Sequence, residues 1–403
     1  MHQDQKSFTL IETEAQLNAF AESNKNIDWL CFDTEFIGER RYVTLLCLIQ
    51  VTTPNGSYFI DPIKLKRLDP FLKMLENPAI LKVTHAGDND YRLLFANYGI
   101  VPSYTFDTQV AAAFIGYKYP VSFRKLVETE LNIFLNKGYA VTDWDQRPIN
   151  AKQLKYAMND VLPLYDLWKS LEDKLRTAGR LHWAQEEFAR MESAAFYDKD
   201  PIEDILAGNI MASLSPKEQV FLIRLSLWRR AQAKEKNYSQ EMILPGKLIS
   251  AIVKTIHSGK DALLNNRRIP EKIADRYGDL FYDFYNQKIT PEERAWLNQI
   301  PQENTDTNKE DLVTEMVSLV IRHKCQEAGV AHNLVVSKNT IKKIGANGFE
   351  EGDHPLESGW RREFLGDQIV QWMEDRDQLE IAIEGSTIRL QPRTEALQAN
   401  SPN

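Results

Sequence analysis

The chain has 403 residues, more than a single domain of ordinary size holds, and 43% hydrophobic with 26% charged residues is the composition of folded globular protein. Net charge is −8, and the three cysteines, Cys31, Cys47 and Cys325, stand alone without a C-x-x-C pair, which argues against a disulfide framework or a structural zinc site. No run approaches the roughly 18 apolar residues of a membrane span, and the polar start from Met1 to Ser7 lacks the apolar segment of a signal peptide, so a cytoplasmic protein without membrane contact is expected.

In chain order, the first half mixes strand and helix patterns. Trp29–Phe32 is a short apolar run that reads as a buried strand, followed by Leu45–Val51, Ser57–Ile60 and Ile80–Val83. Helical spacing is expected over Leu65–Glu76, Asp88–Tyr98, Thr108–Ile115 and Ser122–Leu131, with one long helix from Ala151 to Ala178. Strands interleaved with helices predict an α/β layer fold, and the short polar breaks between the early strands predict antiparallel hairpins within a mixed sheet.

From about Met211 the strand-like runs end and helical periodicity takes over. Ser215, Pro216 and Glu218 form a capping-box helix start, after which Leu222, Leu225 and Trp228 recur at helical spacing. Further helices are expected near Gly246–Ser258, Pro270–Tyr277 and Asp279–Gln287. A polar linker at Pro301–Asn308 leads to a second helical block, which closes in a small hairpin, Ile381–Ile383 with Thr387–Leu390; the tail from Gln391 to Asn403 is expected to be disordered. Charge divides along the same lines. Met211–Thr290 carries 14 Lys/Arg against 8 Asp/Glu, whereas Pro291–Asn403 carries 12 against 20. A basic middle beside an acidic end suggests modules with different partners.

Three constellations carry chemistry. In Phe32-Asp33-Thr34-Glu35-Phe36 two carboxylates lie two residues apart at the end of an apolar strand, so both face one side. Two carboxylates ~4 Å apart repel by about 4 kcal/mol at an effective dielectric of 20, a cost that a divalent cation between them removes. A solvated strand end is the competing reading. In His85-Ala86-Gly87-Asp88-Asn89-Asp90 a strand gives way to a helix whose first turn holds Asp90. Helix capping explains Asp88 better than Asp90, and His85 is either a site residue or a hydrogen-bonded structural histidine. In Tyr156-Ala157-Met158-Asn159-Asp160 the i, i+4 spacing puts phenol and carboxylate on one helical face.

Together, Asp33, Glu35, Asp90, Tyr156 and Asp160 reproduce the motif order of the DEDD exonuclease superfamily in its tyrosine branch. Leu46–Val51, Phe106-Asp107-Thr108 with Ala111-Ala112, Thr142-Asp143-Trp144 and Arg147-Pro148 resemble the family's intervening segments, so the likeness spans roughly Phe8 to Leu175. Downstream, Leu214-Ser215-Pro216 to Phe284 with Trp228-Arg229-Arg230 resembles an HRDC domain, and Ser358-Gly359-Trp360-Arg361-Arg362-Glu363 resembles a second, diverged repeat. A nuclease domain followed by two such modules is the ribonuclease D architecture. The resemblance implies a ribonuclease H-like exonuclease domain over residues 1–192, an HRDC domain over 211–290, a second HRDC-like domain over 309–390 and a tail over 391–403.

It also implies a function: 3′→5′ trimming of RNA, tRNA precursors included, by a monomer using two divalent metal ions, Mg²⁺ or Mn²⁺, and releasing nucleoside 5′-monophosphates. In that scheme Asp33 bridges the metals, Glu35 and Asp160 complete the nucleophile-side site, Asp90 serves the second metal, and Tyr156 positions the attacking water. Phe36 and His85 are candidate substrate contacts, with Phe36 stacking on the terminal base. Lys137 and Arg147 are candidate phosphate contacts, with a surface ion pair as the other reading for both. Arg229 and Arg230, with Lys234, Lys236, Arg267 and Arg268, are the expected RNA grip of the basic block. A DNA exonuclease of the same superfamily shares the motifs. A silent RNA-binding scaffold would be expected to have lost a carboxylate, and all four are present. Gly246-Lys247 is followed by Leu248, so there is no Walker loop and no nucleotide cofactor is expected.

Overall fold

The computed structural model describes residues 8–135, 143–198, 200–208, 210–300, 307–337, 340, 356, 359–367, 369–370, 379–384 and 387–392. Lys137, Thr142, Ser358, most of the stretch between residues 338 and 358, and the tail beyond Pro392 lie outside the described residues.

Six strands form one mixed sheet: β1 (Phe8–Ile11), β2 (Trp29–Ile37), β3 (Leu45–Thr53), β4 (Gly56–Ile60), β5 (Leu81–Thr84) and β6 (Thr105–Asp107), in the order β1-β4-β3-β2-β5-β6. The meander β2-β3-β4 is antiparallel, while β1, β5 and β6 add in parallel. β2 is central, and Leu30, Cys31 and Phe32 are completely buried in it. It runs to Ile37, five residues beyond the expected Trp29–Phe32 strand, because its pairing with β3 continues through Asp33 and Glu35 to a bulge between Glu35 and Phe36. The carboxylates therefore sit within a hydrogen-bonded strand rather than on its frayed end.

Helices α1 (Glu14–Ser23), α2 (Asp69–Glu76), α3 (Asp88–Tyr98), α4 (Thr108–Ala113), α5 (Phe123–Leu131), α6 (Ala151–Val161), α7 (Leu164–Thr177) and α8 (Leu181–Arg190) flank the sheet. The single helix expected over Ala151–Ala178 is two, α6 and α7, with Pro163 as N-cap of the second. Proline has no N–H to continue the ladder and favours a helix start.

Beyond α9 (Ala194–Tyr197) lies an all-helical unit: α10 (Pro201–Leu206), α11 (Pro216–Lys236), α12 (Gln240–Ile243), α13 (Gly246–Thr255), α14 (Lys260–Asn265), α15 (Glu271–Asn286) and α16 (Pro291–Leu297). It has its own core, drawn from Ile202 through Phe221, Ile252 and Phe281 to Ile300. The capping box at the start of α11 is present, with the Ser215 N–H donating to Glu218 at 2.9 Å. Gly278 does not break α15 into the two helices expected. A Cβ there would come within 2.7 Å of Lys260 Cγ, so this glycine lets α14 approach.

The last block comprises α17 (Thr307–Ala328), α18 (His332–Val335), α19 (Gly359–Leu365) and the hairpin β7 (Leu379–Glu384) with β8 (Thr387–Pro392). Strand β8 extends two residues into the segment expected to be disordered. Its apolar residues join the nuclease domain's core rather than forming a separate one: Val317, Ile321, Val335 and Trp360 belong to the cluster that holds Phe114 and Phe188. Trp360 packs edge-on against Phe114 at 4.8 Å between ring centroids. None of the described helices is long and apolar enough to cross a membrane.

Candidate active site

The sheet and two helices bring the motif residues together. Asp33 and Glu35 project from the same face of β2. Helix α6 packs on β2 and β3, starting at a capping box in which the Asn150 side chain accepts the Gln153 N–H at 2.9 Å, and it delivers Tyr156 and Asp160 one turn apart. Carboxylate oxygens of Asp33, Glu35 and Asp160 lie within 4.8 Å of one another, the only group of metal-ligand type found among the described residues.

Asp90 arrives separately, buried in the first turn of α3, where the Thr34 hydroxyl donates to its carboxylate. The turn that aims α3 is fixed by Asp107, which accepts N–H groups from Ala86 and, at 2.7 Å, Gly87 while also capping α4. A Cβ on Gly87 would fall 2.3 Å from Thr84 Oγ1, so only glycine fits there.

The electrostatics follow from crowding acids in a partly dry site. Burial, then the charges of Asp90, Asp160 and Glu35, hold Asp33 well above the usual carboxylate range. Burial followed by Asp160 and Asp90 pushes Glu35 up to about 8, and burial chiefly pushes Asp90 up to about 7 and Asp160 up to about 6. Tyr156 is raised by burial and by the Asp160 charge, and its hydroxyl in turn offsets part of the rise at Asp160. It is therefore a neutral hydroxyl at physiological pH. A cluster of this kind calls for positive charge from outside, and its donors are all hard oxygens, the set that suits magnesium or manganese.

Sequence reasoning passed over Thr34, Asp107 and Gln50. Gln50 stands opposite Asp33 in the β2–β3 register, is fully buried, and lies 3.5 Å by Nε2 from Glu35 Oε1. Among the described residues its Oε1 has no hydrogen-bond partner, an open acceptor beside the carboxylates. The signal for it was present, since Gln50 is the lone polar residue in the apolar run Leu45–Val51.

The candidate substrate contacts divide. Phe36, just past the bulge, is 44% exposed beside the acids. His85 is engaged on both ring nitrogens. Nε2 faces the Val121 carbonyl at 3.1 Å, which can only accept, so in the neutral ring Nε2 carries the proton, while Nδ1 lies 3.0 Å from the Thr108 hydroxyl, whose own proton goes to the Thr84 carbonyl. Burial lowers its pKa and keeps it neutral. This is the hydrogen-bonded structural histidine of the two readings. Arg147 is not a free phosphate contact. Its Nε and Nη2 grip Asp61 at 2.6 and 2.7 Å, and its remaining N–H groups bond the carbonyls of Trp144, Gln146 and Cys47, so all its donors are spent within the fold.

Arg229 is likewise internal, its Nε on the Gln240 and Leu244 carbonyls and its Nη2 on Glu241 at 2.5 Å, whereas Arg230 is exposed. Lys234, Lys236, Arg267 and Arg268 are exposed too. Lys137 lies outside the described residues.

Carboxylates clustered on and beside the central strand of a mixed sheet suit metal-dependent hydrolysis, and a family profile described as 3′-5′ exonuclease matches residues 8–176, which places the domain in that nuclease class. The full length narrows the class. The chain is 30% identical over 382 residues to ribonuclease D of Zymomonas mobilis, covering 91% of this chain and 94% of that one. It is 29% identical over 373 residues to ribonuclease D of Bartonella henselae, covering 91% and 90%. The crystal structure of Escherichia coli RNase D superposes with a TM-score of 0.80 at 22% identity, over 92% of this chain and 99% of that chain. The chain belongs to the ribonuclease D family and is a 3′–5′ exoribonuclease, a hydrolase acting on RNA.

Proposed function

We propose that the protein trims 3′ ends of structured RNA, tRNA precursors among them, by two-metal phosphodiester hydrolysis that releases nucleoside 5′-monophosphates. The observation that carries this is the convergence within 4.8 Å of carboxylate oxygens from Asp33 and Glu35 on the central strand and Asp160 on α6. The solved relative from Escherichia coli is described as an exoribonuclease involved in structured RNA processing, which supports the substrate class.

Two divalent ions, Mg²⁺ or Mn²⁺, would be held by Asp33 in common, by Glu35 and Asp160 on the nucleophile side and by Asp90 on the other. Such ions supply an activated water and charge stabilisation of the leaving 3′-oxygen. The protein's own groups do the positioning. Tyr156 orients the attacking water by its hydroxyl and, held protonated by its raised pKa, does not serve as the base. Gln50 backs Glu35, and Thr34 backs Asp90. Phe36 stacks on the 3′-terminal base, a sequence-tolerant contact. The helical unit around residues 211–290 acts as an HRDC-type RNA grip through exposed cations such as Arg230 and Lys234, and the block over 309–390 is a diverged repeat fixed to the nuclease domain. The protein works as a cytoplasmic monomer.

A denaturing-gel time course on a 3′-extended tRNA tests the reading. Stepwise shortening in Mg²⁺ that stops in EDTA is expected. Persistence of the extension in both buffers would overturn it.

A further inference from the structure

The turn that carries β2 into β3, residues 38–44, leaves the active site two residues after Phe36 and ends against the first helical unit, at the end of α11. Two hydrogen bonds join them: the Val43 N–H donates to Asn237 Oδ1 at 3.1 Å, and the Ser239 N–H donates to the Arg40 carbonyl at 3.1 Å. Asn237 is the left-handed C-cap of α11, φ 49°, so the contact falls at the end of that helix and directly follows its last basic turn, Lys234 and Lys236. Arg40 and Arg41 are exposed on the nuclease side of the seam, Lys234 and Lys236 on the other.

Among the described residues neither arginine side chain has an ion pair or hydrogen bond. Lys236 donates only to the neutral Gln232, at 2.9 Å. Of the acids in the adjoining sequence, Glu235 is bonded by the Gln232 amide and Glu241 by Arg229. Tyr238, between the two seam-forming residues, is 47% exposed. Like charges drawn together by an interdomain contact, with an exposed ring among them, match the combination that binds single strands: cations for backbone phosphates and an aromatic face for a base.

We propose that this seam is a single-stranded RNA subsite in which Arg40, Arg41, Lys234 and Lys236 hold backbone phosphates and Tyr238 stacks on a base, upstream of the 3′ nucleotide at Phe36. This deepens the exoribonuclease reading and rests on it for the direction of the strand. The subsite spans two domains, so the catalytic strand and the helical unit grip one RNA through a shared surface.

The test uses the full-length protein and two labelled RNA single strands, of about three and about 12 nucleotides, the longer within the span of known single-strand sites. Affinity is read by fluorescence anisotropy in EDTA across a salt series, and kcat/KM for the short strand in Mg²⁺. Arg40→Ala/Arg41→Ala is expected to bind the longer strand roughly tenfold more weakly and to flatten the log–log salt slope by about 1.4, two contacts at ~0.7 each. Tyr238→Ala is expected to lose about fivefold or more in affinity while Tyr238→Phe, which keeps the ring, binds as wild type. Short-strand turnover stays within about twofold in every variant.

Wild-type affinity and slope in both Arg40→Ala/Arg41→Ala and Tyr238→Ala would overturn the subsite. The binding measurement does not depend on turnover. A wild-type protein that left the short strand intact in Mg²⁺ would instead sink the hydrolytic reading, while the affinity comparison still decides the seam.

Discussion

Asp33, the proposed shared metal ligand, sits in an environment that makes two opposite demands. As a ligand it must be ionised, yet burial and three neighbouring carboxylates hold its proton well above the usual range. Asp33→Asn is therefore expected to lower activity by roughly a hundredfold or more, while raising the melting temperature of the metal-free protein because the cost of burying an acid among acids is gone. Scanning calorimetry in EDTA beside a gel assay in Mg²⁺ reads both. Near-normal cleavage, or a lowered melting temperature, would contradict the assignment. The same crowding sets a pH dependence. Glu35 near 8, Asp90 near 7 and Asp160 near 6 lie above their unfolded values of about 4. The folded state thus binds more protons than the unfolded state between pH ~4 and ~8, and metal-free stability falls as pH rises through that window. Added Mg²⁺ should flatten the decline, which a melting series at pH 5 to 8 with and without metal would register. Tyr156 belongs to the same scale. Because its hydroxyl is assigned to the attacking water, Tyr156→Phe should cut the single-turnover rate by about 10²-fold and leave RNA affinity nearly unchanged; the reverse pattern would make it a packing residue.

At the level of elements, what was legible in the sequence was whatever local pattern alone decides. Helix α3 begins and ends where its pattern predicts, Asp88–Tyr98, and the capping box of α11 stands at Ser215. Strands β2 to β5 show as apolar runs. Strand β6, with three residues, is too short for a pattern to register, and β1, no longer than β5 but exposed at Phe8 and Thr9, has no buried run to mark it; both exist because β5 and β4 offer edges to pair with. Gly278 reads as a break until the Lys260 stem that needs its space is known. The site divides in the same way. Strand and helix spacing pointed to Asp33, Glu35, Tyr156 and Asp160 as pairs, but the approach of the pairs is tertiary. Arg147 shows the limit most clearly, since a lone arginine in a polar stretch gives no hint of Asp61, 86 positions earlier. Their ion pair, with side chains 14% and 1% exposed, clamps the segment that leads into α6 against the sheet. Arg147→Ala should cost about 3–5 kcal/mol in urea unfolding, because Asp61 would be left charged and buried without its partner. At a temperature where the variant is folded, its RNA affinity should match wild type. Loss of affinity with full stability would restore the phosphate-contact role.

Across the whole molecule, the two helical blocks relate to the nuclease domain in different ways, and charge and packing explain the difference together. The basic unit keeps its own core and meets the catalytic turn through the hydrogen bonds at Val43 and Ser239, leaving cations such as Arg230 and Lys234 exposed. The acidic block gives its apolar residues to the nuclease core and pins itself there by polar contacts. Glu187 of α8 accepts Trp360 Nε1–H at 2.8 Å and Arg361 Nη1 at 2.5 Å, and Arg361 also bonds the Leu334 and Val335 carbonyls at 2.9 Å. Burial pushes Glu187 up, but Arg361, Arg190 and Trp360 outweigh it and hold the carboxyl below its ordinary value. Three of the five N–H groups of Arg361 are spent within the fold and its side chain is 14% exposed, so it is a poor phosphate contact. Arg361→Ala should therefore destabilise the protein by about 2–3 kcal/mol, less than the ~3–5 of a fully orphaned buried charge because Arg190 remains beside Glu187. RNA affinity should not change. Arg230→Ala/Lys234→Ala should do the opposite, weakening RNA binding and flattening its salt dependence by about 1.4 while leaving the urea midpoint in place. Arg229 is kept out of that pair because its contacts to Gln240, Leu244 and Glu241 would mix a folding defect into the result. Urea unfolding and salt-resolved RNA binding on the two variants give four readings. If Arg361→Ala lost RNA affinity at unchanged stability, the grip would belong to the acidic block after all. If Arg230→Ala/Lys234→Ala left the salt slope untouched, the basic face would be only solvated surface.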